Sequence, residues 1–221
     1  MRPRFTGFFK IQNIERVTEI QENAESRGNR YGGFCVFFRR NSKMEIFDII
    51  DESGRPTGKT VDRETAHAEG ILHRTAHVWL LRRRGDRTEV LLQKRSRNKD
   101  SHPGCYDISS AGHIPAGVDF VPSALRELKE ELGVDASAEE LVCCGRRRIF
   151  HRDVFYGRDF VDNQVSNIYC MWKDIEPEQM TLQKEEVEEV IWMDLELCRE
   201  LVRTNGIPHC IYMEELDMLP G

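Results

Sequence analysis

The feature that most constrains this chain is a glycine-containing loop that runs directly into one clear helical pattern. Residues 112–117 read Gly-His-Ile-Pro-Ala-Gly. The pattern that follows predicts a helix from about Phe120 to Leu132, with Asp119 as its N-cap and Gly133 just beyond its C-terminus. Leucines recur along it at three- and four-residue intervals and form a stripe on one face. We expect this stripe to be buried, so a packed domain should surround the helix.

Three glutamates fall on another face of the same helix. Glu127, Glu130 and Glu131 are spaced so that their carboxylates converge. Like charges at this spacing destabilise an isolated helix by about 0.2–0.5 kcal/mol per pair. Oxygen ligands of this kind suit Mg2+ or Mn2+. A solvated acidic face is the alternative interpretation, but the adjacent glycine loop favours a ligand site because glycine backbone can approach a ligand closely.

Composition places the chain among single-domain globular proteins. It has 221 residues, of which 39% are hydrophobic and 32% are charged. A net charge of -6 argues against nucleic-acid binding as the main role, because that affinity rests on clusters of Lys and Arg. No apolar stretch approaches the roughly 20 residues of a membrane helix. Seven cysteines without a C-x-x-C spacing indicate reduced thiols, and hence a cytoplasmic location.

The chain divides near Met44. Residues 1–43 hold nine Lys and Arg but four Glu and show no sustained period, so we expect a flexible N-terminal extension outside the core. Residues 44–221 are predicted to form one domain of strands and helices, with a hairpin turn at 84–87. The predicted strands are Met44–Ile50, His73–Arg83, Thr88–Arg95, Tyr106–Ser109, Leu141–Phe150, Val165–Trp172 and Val187–Met193, and the other helices are Asp62–Glu69 and a C-terminal one from Asp194 to before Gly206.

Residues 112–134 resemble the Nudix box, G-x5-E-x7-R-E-U-x-E-E-x-G-U, in which U is an apolar aliphatic residue. Eight of the nine specified positions are present: Gly112, Arg126, Glu127, Leu128, Glu130, Glu131, Gly133 and Val134. The resemblance extends over about Met44–Leu216. It implies an α/β protein with the Nudix fold, an α/β/α sandwich built on a mixed β-sheet.

The one departure from the box is Val118, which stands where the family usually has glutamate. In the family that glutamate supports the box and often pairs with the arginine that matches Arg126. We therefore expect a weakened support and an intact metal site. Asp119 is a partial substitute, although a shift of one residue changes the direction of its side chain.

The resemblance implies metal-dependent hydrolysis of a nucleoside diphosphate derivative or a similar diphosphate. It assigns Mg2+, with Mn2+ as an alternative, to the Gly112 carbonyl, Glu127, Glu130 and Glu131, and it gives Arg126 the task of orienting Glu127. Bound divalent ions would neutralise the diphosphate, and a carboxylate would accept a proton from water. The implied partner is a small-molecule diphosphate, and a homodimer is compatible with the family.

The general base has two candidate sources. One is Glu130 or Glu131 on the helix itself. The other is the acidic run at residues 185–189, where family members often place a functional glutamate, and from which we select Glu186. A solvated loop is the alternative reading of that run.

The segments 91–95, 103–104 and 112–113 resemble a branch that Nudix hydrolases share with type I isopentenyl-diphosphate isomerases. The isomerase needs a proton-transferring cysteine at the position of Ala111 and a glutamate at that of Gln164. Alanine cannot transfer a proton, so hydrolysis is favoured over isomerisation. A third hypothesis, a domain that binds nucleotides without turnover, rests on Val118 alone, and the retained helix glutamates argue against it.

Several polar residues are candidates for substrate binding because of their position near this loop or their affinity for phosphate. They are Lys94, Arg95, His73, His113, Arg148 and Gln164. His67, His73 and His113 also resemble, roughly, the histidines that hold a second metal in the isomerase. With Asn163 and Gln164 in place of carboxylates, we expect these histidines to bind backbone or substrate groups instead.

Overall fold

The computed structural model describes residues 45–99, 101–155 and 157–221, so the extension predicted over 1–43 lies outside the described residues. Four helices and nine strands follow in chain order. They are β1 (Ile46–Ile50), β2 (Pro56–Asp62), α1 (Arg63–Glu69), β3 (His73–Arg84), β4 (Arg87–Arg95), β5 (Tyr106–Asp107), β6 (Ser110–His113), α2 (Phe120–Leu132), β7 (Val142–Phe155), β8 (Arg158–Trp172), β9 (Val187–Asp194), α3 (Leu195–Arg203) and α4 (Met213–Met218).

Seven of these strands form one mixed sheet. Its path runs β5-β4-β3-β8-β7, with β6 paired to β3 and β9 paired to β4. Strands β3 and β8 are parallel, from His73 opposite Gln164 to Leu81 opposite Trp172, and the other pairs are antiparallel. Strands β1 and β2 form a separate antiparallel pair. The predicted mixed sheet is thereby confirmed.

Helices cover both faces of the sheet. On one face, the leucine stripe of α2 packs on β3 and β9, with Leu128 and Leu132 fully buried. On the other face, α3 and α4 pack around Trp79 and Ile168. The predicted α/β/α sandwich is confirmed.

The elements that were predicted most accurately are determined by capping and turn residues close to them in sequence. Asp119 caps α2 by accepting a hydrogen bond from the Phe120 N–H, and Gly133 ends the helix at a φ of +69°. A Cβ at Gly133 would lie 2.8 Å from the Thr181 Cβ, so both conformation and space require glycine there. The predicted hairpin is also present, and its turn contains Gly85 at a φ of +65°.

Three predictions about element boundaries are wrong. Of the strand expected over Tyr106–Ser109 only Tyr106–Asp107 is present, as β5. The first two residues of the expected 112–117 loop belong to β6, because pairing with β3 occupies their backbone groups. The strand predicted to end at Phe150 and the strand predicted to begin at Val165 are both longer, since β7 and β8 form one extended hairpin. Helix α4 was not predicted because it has six residues and no side-chain cap.

Among the described residues, the structure contains no helix with the length and apolar character to cross a membrane.

Candidate active site

Strand β6 and helix α2 bring Gly112 against Glu127. A Cβ added at Gly112 would lie 2.2 Å from both Cγ and Cδ of Glu127, so the approach requires a glycine. Arg126 Nη2 donates to Glu127 Oε1 at 2.5 Å and approaches the His113 carbonyl oxygen at 3.5 Å. The Glu127 carboxylate is consequently fixed between the glycine strand and one guanidinium.

Glu127 and Glu131 are both removed from water. Burial raises the pKa of Glu127 to about 7; Arg126 opposes this rise and Glu130 adds to it. Burial raises the pKa of Glu131 to about 8, although its Oε2 accepts a 2.7 Å hydrogen bond from Ser110 Oγ. Glu130, between them on the helix, is exposed.

This pair of carboxylates fits a divalent cation. Burial and neighbouring glutamates raise the pKa of both acids, and Glu127 itself contributes to the rise at Glu131, so a cation beside them would restore both to the charged form. The donor set consists of oxygens only, which Mg2+ and Mn2+ prefer.

A clamp from β1 supports the loop that precedes α2. Asp48 Oδ2 accepts from the Gly117 N–H at 2.9 Å and from Arg74 Nη2 at 2.9 Å. Arg74 Nη2 also donates to the Val118 carbonyl oxygen at 3.0 Å. Asp119, the expected substitute for the missing glutamate, caps α2 instead. The loop at Val118 is therefore fixed through its backbone, by a carboxylate that the sequence pattern did not reveal.

The basic residues before the loop are ion-paired. Lys99 pairs with Glu186, and both are close enough to Glu131 to influence its pKa in opposite directions. Arg95 pairs with Asp107 at 3.0 Å and also interacts with Glu131. The structure thus brings Glu186 and Arg95 into the electrostatic environment of the helix glutamates.

Lys94 and Arg148 have other partners. Lys94 Nζ lies 3.0 Å from Glu189 Oε1 and 3.3 Å from Glu188 Oε1. Arg148 Nη1 donates to the carbonyl oxygens of Ile149 and Gln164. In the β7–β8 register Gln164 lies opposite Ile149, so the Arg148 and Gln164 side chains project from opposite faces of the sheet.

Three histidines meet on the face of the sheet opposite α2. Nδ1 of His67 and of His73 contacts the carbonyl oxygens of Arg63 and Ile71 at 2.9 and 2.7 Å, which fits the expectation of backbone partners. One ring nitrogen each of His67, His73 and His113 lies within 4.8 Å of the others, and the Nε2 atoms of His113 and His67 are 3.3 Å apart. Among the described residues, the buried Nε2 of His73 has no hydrogen-bond partner.

The chemistry of this histidine cluster suits a transition metal. Burial lowers the pKa of His73 to about 4 and that of His113 well below its ordinary value, so both rings are neutral donors. Asp162 Oδ1 lies 3.4 Å from His67 Nε2 and accepts from Gln164 Nε2 at 2.7 Å. No sequence signal marks Asp162, and its position becomes evident only from the β7–β8 register.

A second buried carboxylate, Glu215 of α4, has many partners. His77 Nδ1 lies 3.0 Å from both of its oxygens, Arg147 Nη1 donates to Oε1 at 3.0 Å, and Trp79 Nε1 donates to Oε2 at 3.3 Å. His77 and Arg147 hold the pKa of Glu215 below its ordinary value despite burial, and Glu215 raises the pKa of His77. This network attaches α4 to the sheet.

Comparison with known proteins agrees with the fold and the box. The NUDIX domain family model matches residues 71–208, so the chain belongs to the Nudix family. An uncharacterized Nudix hydrolase of Clostridium acetobutylicum is 38% identical over 158 residues, which cover 71% of this chain and 74% of the relative. Nudix hydrolase 3 of Arabidopsis thaliana is 39% identical over 72% of this chain, but the match spans only 20% of that protein's length.

Two further comparisons bear on the branch and the fold. An isopentenyl-diphosphate Delta-isomerase of Paenarthrobacter aurescens is 35% identical over 98 residues, which cover 44% of this chain and 52% of the isomerase. The crystal structure of DR0079 from Deinococcus radiodurans superposes with a TM-score of 0.58 at 16% identity, over 78% of this chain and 98% of that one. The chain is thus a Nudix hydrolase family member that resembles the isomerase.

Proposed function

We propose that this protein hydrolyses the diphosphate linkage of a nucleoside diphosphate derivative or a related diphosphate, with Mg2+ or Mn2+ as cofactor. The observation that carries the proposal is the pair Glu127, largely buried against Gly112, and Glu131, buried beside Ser110, with pKa values raised to about 7 and 8. Burying ionised carboxylates in this way costs folding free energy unless a cation binds beside them. We further propose residues 44–221 as the catalytic domain and the cytoplasm as its location.

The residues proposed to hold the metal are Glu127, Glu130, Glu131 and the Gly112 carbonyl. When bound, divalent ions neutralise a diphosphate, polarise the attacked phosphorus and lower the pKa of water. Arg126 keeps Glu127 oriented through the 2.5 Å hydrogen bond.

The proton acceptor is proposed among Glu130, Glu131 and Glu186. Glu130 is exposed, so it is accessible to water and substrate. Glu186 is already paired with Lys99, which would have to release it. Glu130 is therefore the favoured base.

For substrate contacts beside the helix glutamates we favour Arg95 over Lys94 and Arg148, because Arg95 interacts electrostatically with Glu131. His113 and Gln164 lie with the histidine cluster on the opposite face of the sheet, so we propose them for contacts with substrate on that face. His73 contributes to the histidine cluster and would act on substrate through it.

Isomerisation of an isopentenyl-type diphosphate is the second candidate, and the histidine cluster with Asp162 is the observation that favours it. Two other positions weigh against it. Ala111 pairs with His77 in the β6–β3 ladder and offers no proton. Gln164 bonds Asp162 and Thr75 through its amide and cannot act as an acid.

The test is a substrate panel of nucleoside diphosphates, nucleoside triphosphates, nucleotide sugars and isopentenyl diphosphate, incubated with and without Mg2+. We expect Mg2+-dependent formation of a nucleoside monophosphate from at least one nucleotide, with inorganic phosphate, pyrophosphate or a sugar phosphate as the second product according to the substrate. Formation of the isomer of isopentenyl diphosphate without phosphate release would instead establish the isomerase. Tight nucleotide binding without turnover would overturn both and favour a binding domain.

A further inference from the structure

A second cluster of metal-binding side chains lies apart from the glutamates of α2 and from His67, His73 and His113. It consists of His102, His151 and Asp153, one ligand atom of each lying within 4.8 Å of the others. His151 and Asp153 alternate on β7 and project from the same face of the sheet. His102 comes from the segment between β4 and β5, so the cluster joins two parts of the chain that are distant in sequence.

Each side chain of this cluster is held by neighbouring groups. Asp153 Oδ1 accepts from the Val154 N–H at 2.7 Å, and Oδ2 lies 3.7 Å from His151 Nε2. The ring of Phe155 meets that of His102 edge to face, with centroids 5.5 Å apart. His102 has a φ of +46°, which a residue other than glycine rarely adopts.

The backbone that carries His102 is also fixed. Arg95 donates from Nε and Nη2 to the Ser101 carbonyl oxygen at 3.1 and 3.0 Å, and its own charge is neutralised by Asp107. The Cys105 N–H donates to the His102 carbonyl oxygen at 3.3 Å. The positive charge of Arg95 would repel a bound cation, but the ion pair of Arg95 with Asp107 reduces this repulsion.

We propose that His102, His151 and Asp153 bind a transition-metal ion of the zinc type, which ties the segment between β4 and β5 to the β7–β8 hairpin. Two imidazoles and one carboxylate are a common three-ligand set for Zn2+, with water completing the coordination. Ligand bonds of about 2.0–2.2 Å require only a small contraction of the cluster. The segment that the metal would secure also carries Lys99, the partner of Glu186.

The test is a Zn2+ titration of the full chain in saturating Mg2+, which keeps the oxygen site filled. Wild type is compared with His102→Gln, His151→Gln and Asp153→Asn, and with His73→Gln to remove the other histidine cluster. We expect each of the first three variants to weaken one class of Zn2+ binding by about 10–100-fold or more, and His73→Gln to leave that class unchanged. Asp159→Asn, at an exposed position on β8, is the matched control and should bind like wild type.

A second measurement tests the tie between the two segments. Trypsin cleavage after Arg97 or Lys99 should slow when Zn2+ is added, by up to about 100-fold at a concentration of 100 Kd, and the slowing should be absent in His151→Gln. Zn2+ binding that is identical in wild type and the three cluster variants would overturn the proposal. Complete loss of Zn2+ binding in His73→Gln would also overturn it, because all of the metal would then belong to the other cluster.

Discussion

Two buried carboxylate regions of this protein differ in how their charge is balanced. Glu215 has His77, Arg147 and Trp79 as donors, and its pKa lies below the ordinary value despite burial. Glu131, equally removed from water, has one serine donor and a neighbouring glutamate, and its pKa rises to about 8. Burial is common to both, so the difference lies in the cations. The charge of the first region is balanced within the folded chain, whereas that of the second would be balanced by the proposed metal.

The largest expected effect is a loss of activity when one of the α2 glutamates is replaced. Glu130→Gln removes one carboxylate from the proposed metal and base set without burying any new group, so turnover should fall by about 100-fold or more. The measurement is the rate of Mg2+-dependent hydrolysis of the substrate found by the panel. Glu178→Gln, at an exposed glutamate in another part of the chain, should retain wild-type turnover. Unchanged turnover in Glu130→Gln would remove Glu130 from the site.

The second largest expected effect is a loss of stability when Glu215 is replaced. Glu215→Gln leaves His77 and Arg147 buried without their counter-charge, so the free energy of unfolding should fall by about 3–5 kcal/mol. Denaturant titration of the purified variant measures it. The neighbouring and largely exposed Glu214 provides the control, since Glu214→Gln should change stability by less than about 0.5 kcal/mol. A small effect at Glu215 would mean that α4 is held mainly by apolar contacts.

The pH dependence of stability should have opposite signs for Glu215 and for the helix glutamates. The folded-state pKa values of Glu127 and Glu131 lie above the unfolded value, so their contribution is favourable at low pH and is lost as pH rises through about 7 and 8. Glu215 has a lowered pKa, so its contribution is present above the ordinary glutamate pKa and is lost as pH falls through the folded-state value.

Metal-free protein should therefore lose about 3–5 kcal/mol of stability between pH 5.5 and pH 8.5. Denaturant titrations at the two pH values measure the loss. Glu131→Gln should reduce it, because the neutral amide needs no proton. Equal losses in wild type and Glu131→Gln would show that other groups titrate in this range.

The smallest expected effect concerns the departure from the box. Val118 is partly exposed and its backbone is held by Arg74, so Val118→Glu should change stability by less than about 0.5 kcal/mol and leave turnover near wild type. Thermal unfolding measures the stability, and the hydrolysis assay measures the turnover. A large loss of activity would show that Val118 belongs to a rearranged site.

Local patterns predicted the parts of the molecule whose causes are local. Helix α2, its caps at Asp119 and Gly133, and the hairpin at Gly85 all follow from side chains within a few residues of the feature. The convergence of Glu127 and Glu131 follows from helical spacing. The position of Glu127 against Gly112 depends on β6, whose residues Gly112 and His113 the sequence pattern assigned to a loop.

The missed residues act across long separations in sequence. Asp48 reaches Gly117 from β1, Asp162 reaches His67 from β8, and Glu215 reaches His77 from a helix with no sequence signal. Each contact depends on strand order and register, which spacing along the chain does not specify. The histidine cluster was noticed, but its convergence could not be established without that register.

The most direct test of the proposed metal site at Glu127 and Glu131 is the number of protons released when Mg2+ binds. Titration calorimetry at pH 7 in buffers of different ionisation enthalpy gives this number. Because Glu127 and Glu131 hold protons near neutral pH without metal, Mg2+ should displace about one proton, and fewer in Glu131→Gln. Mg2+ binding without proton release, or no Mg2+ binding at all, would contradict the account of these carboxylates as a metal site.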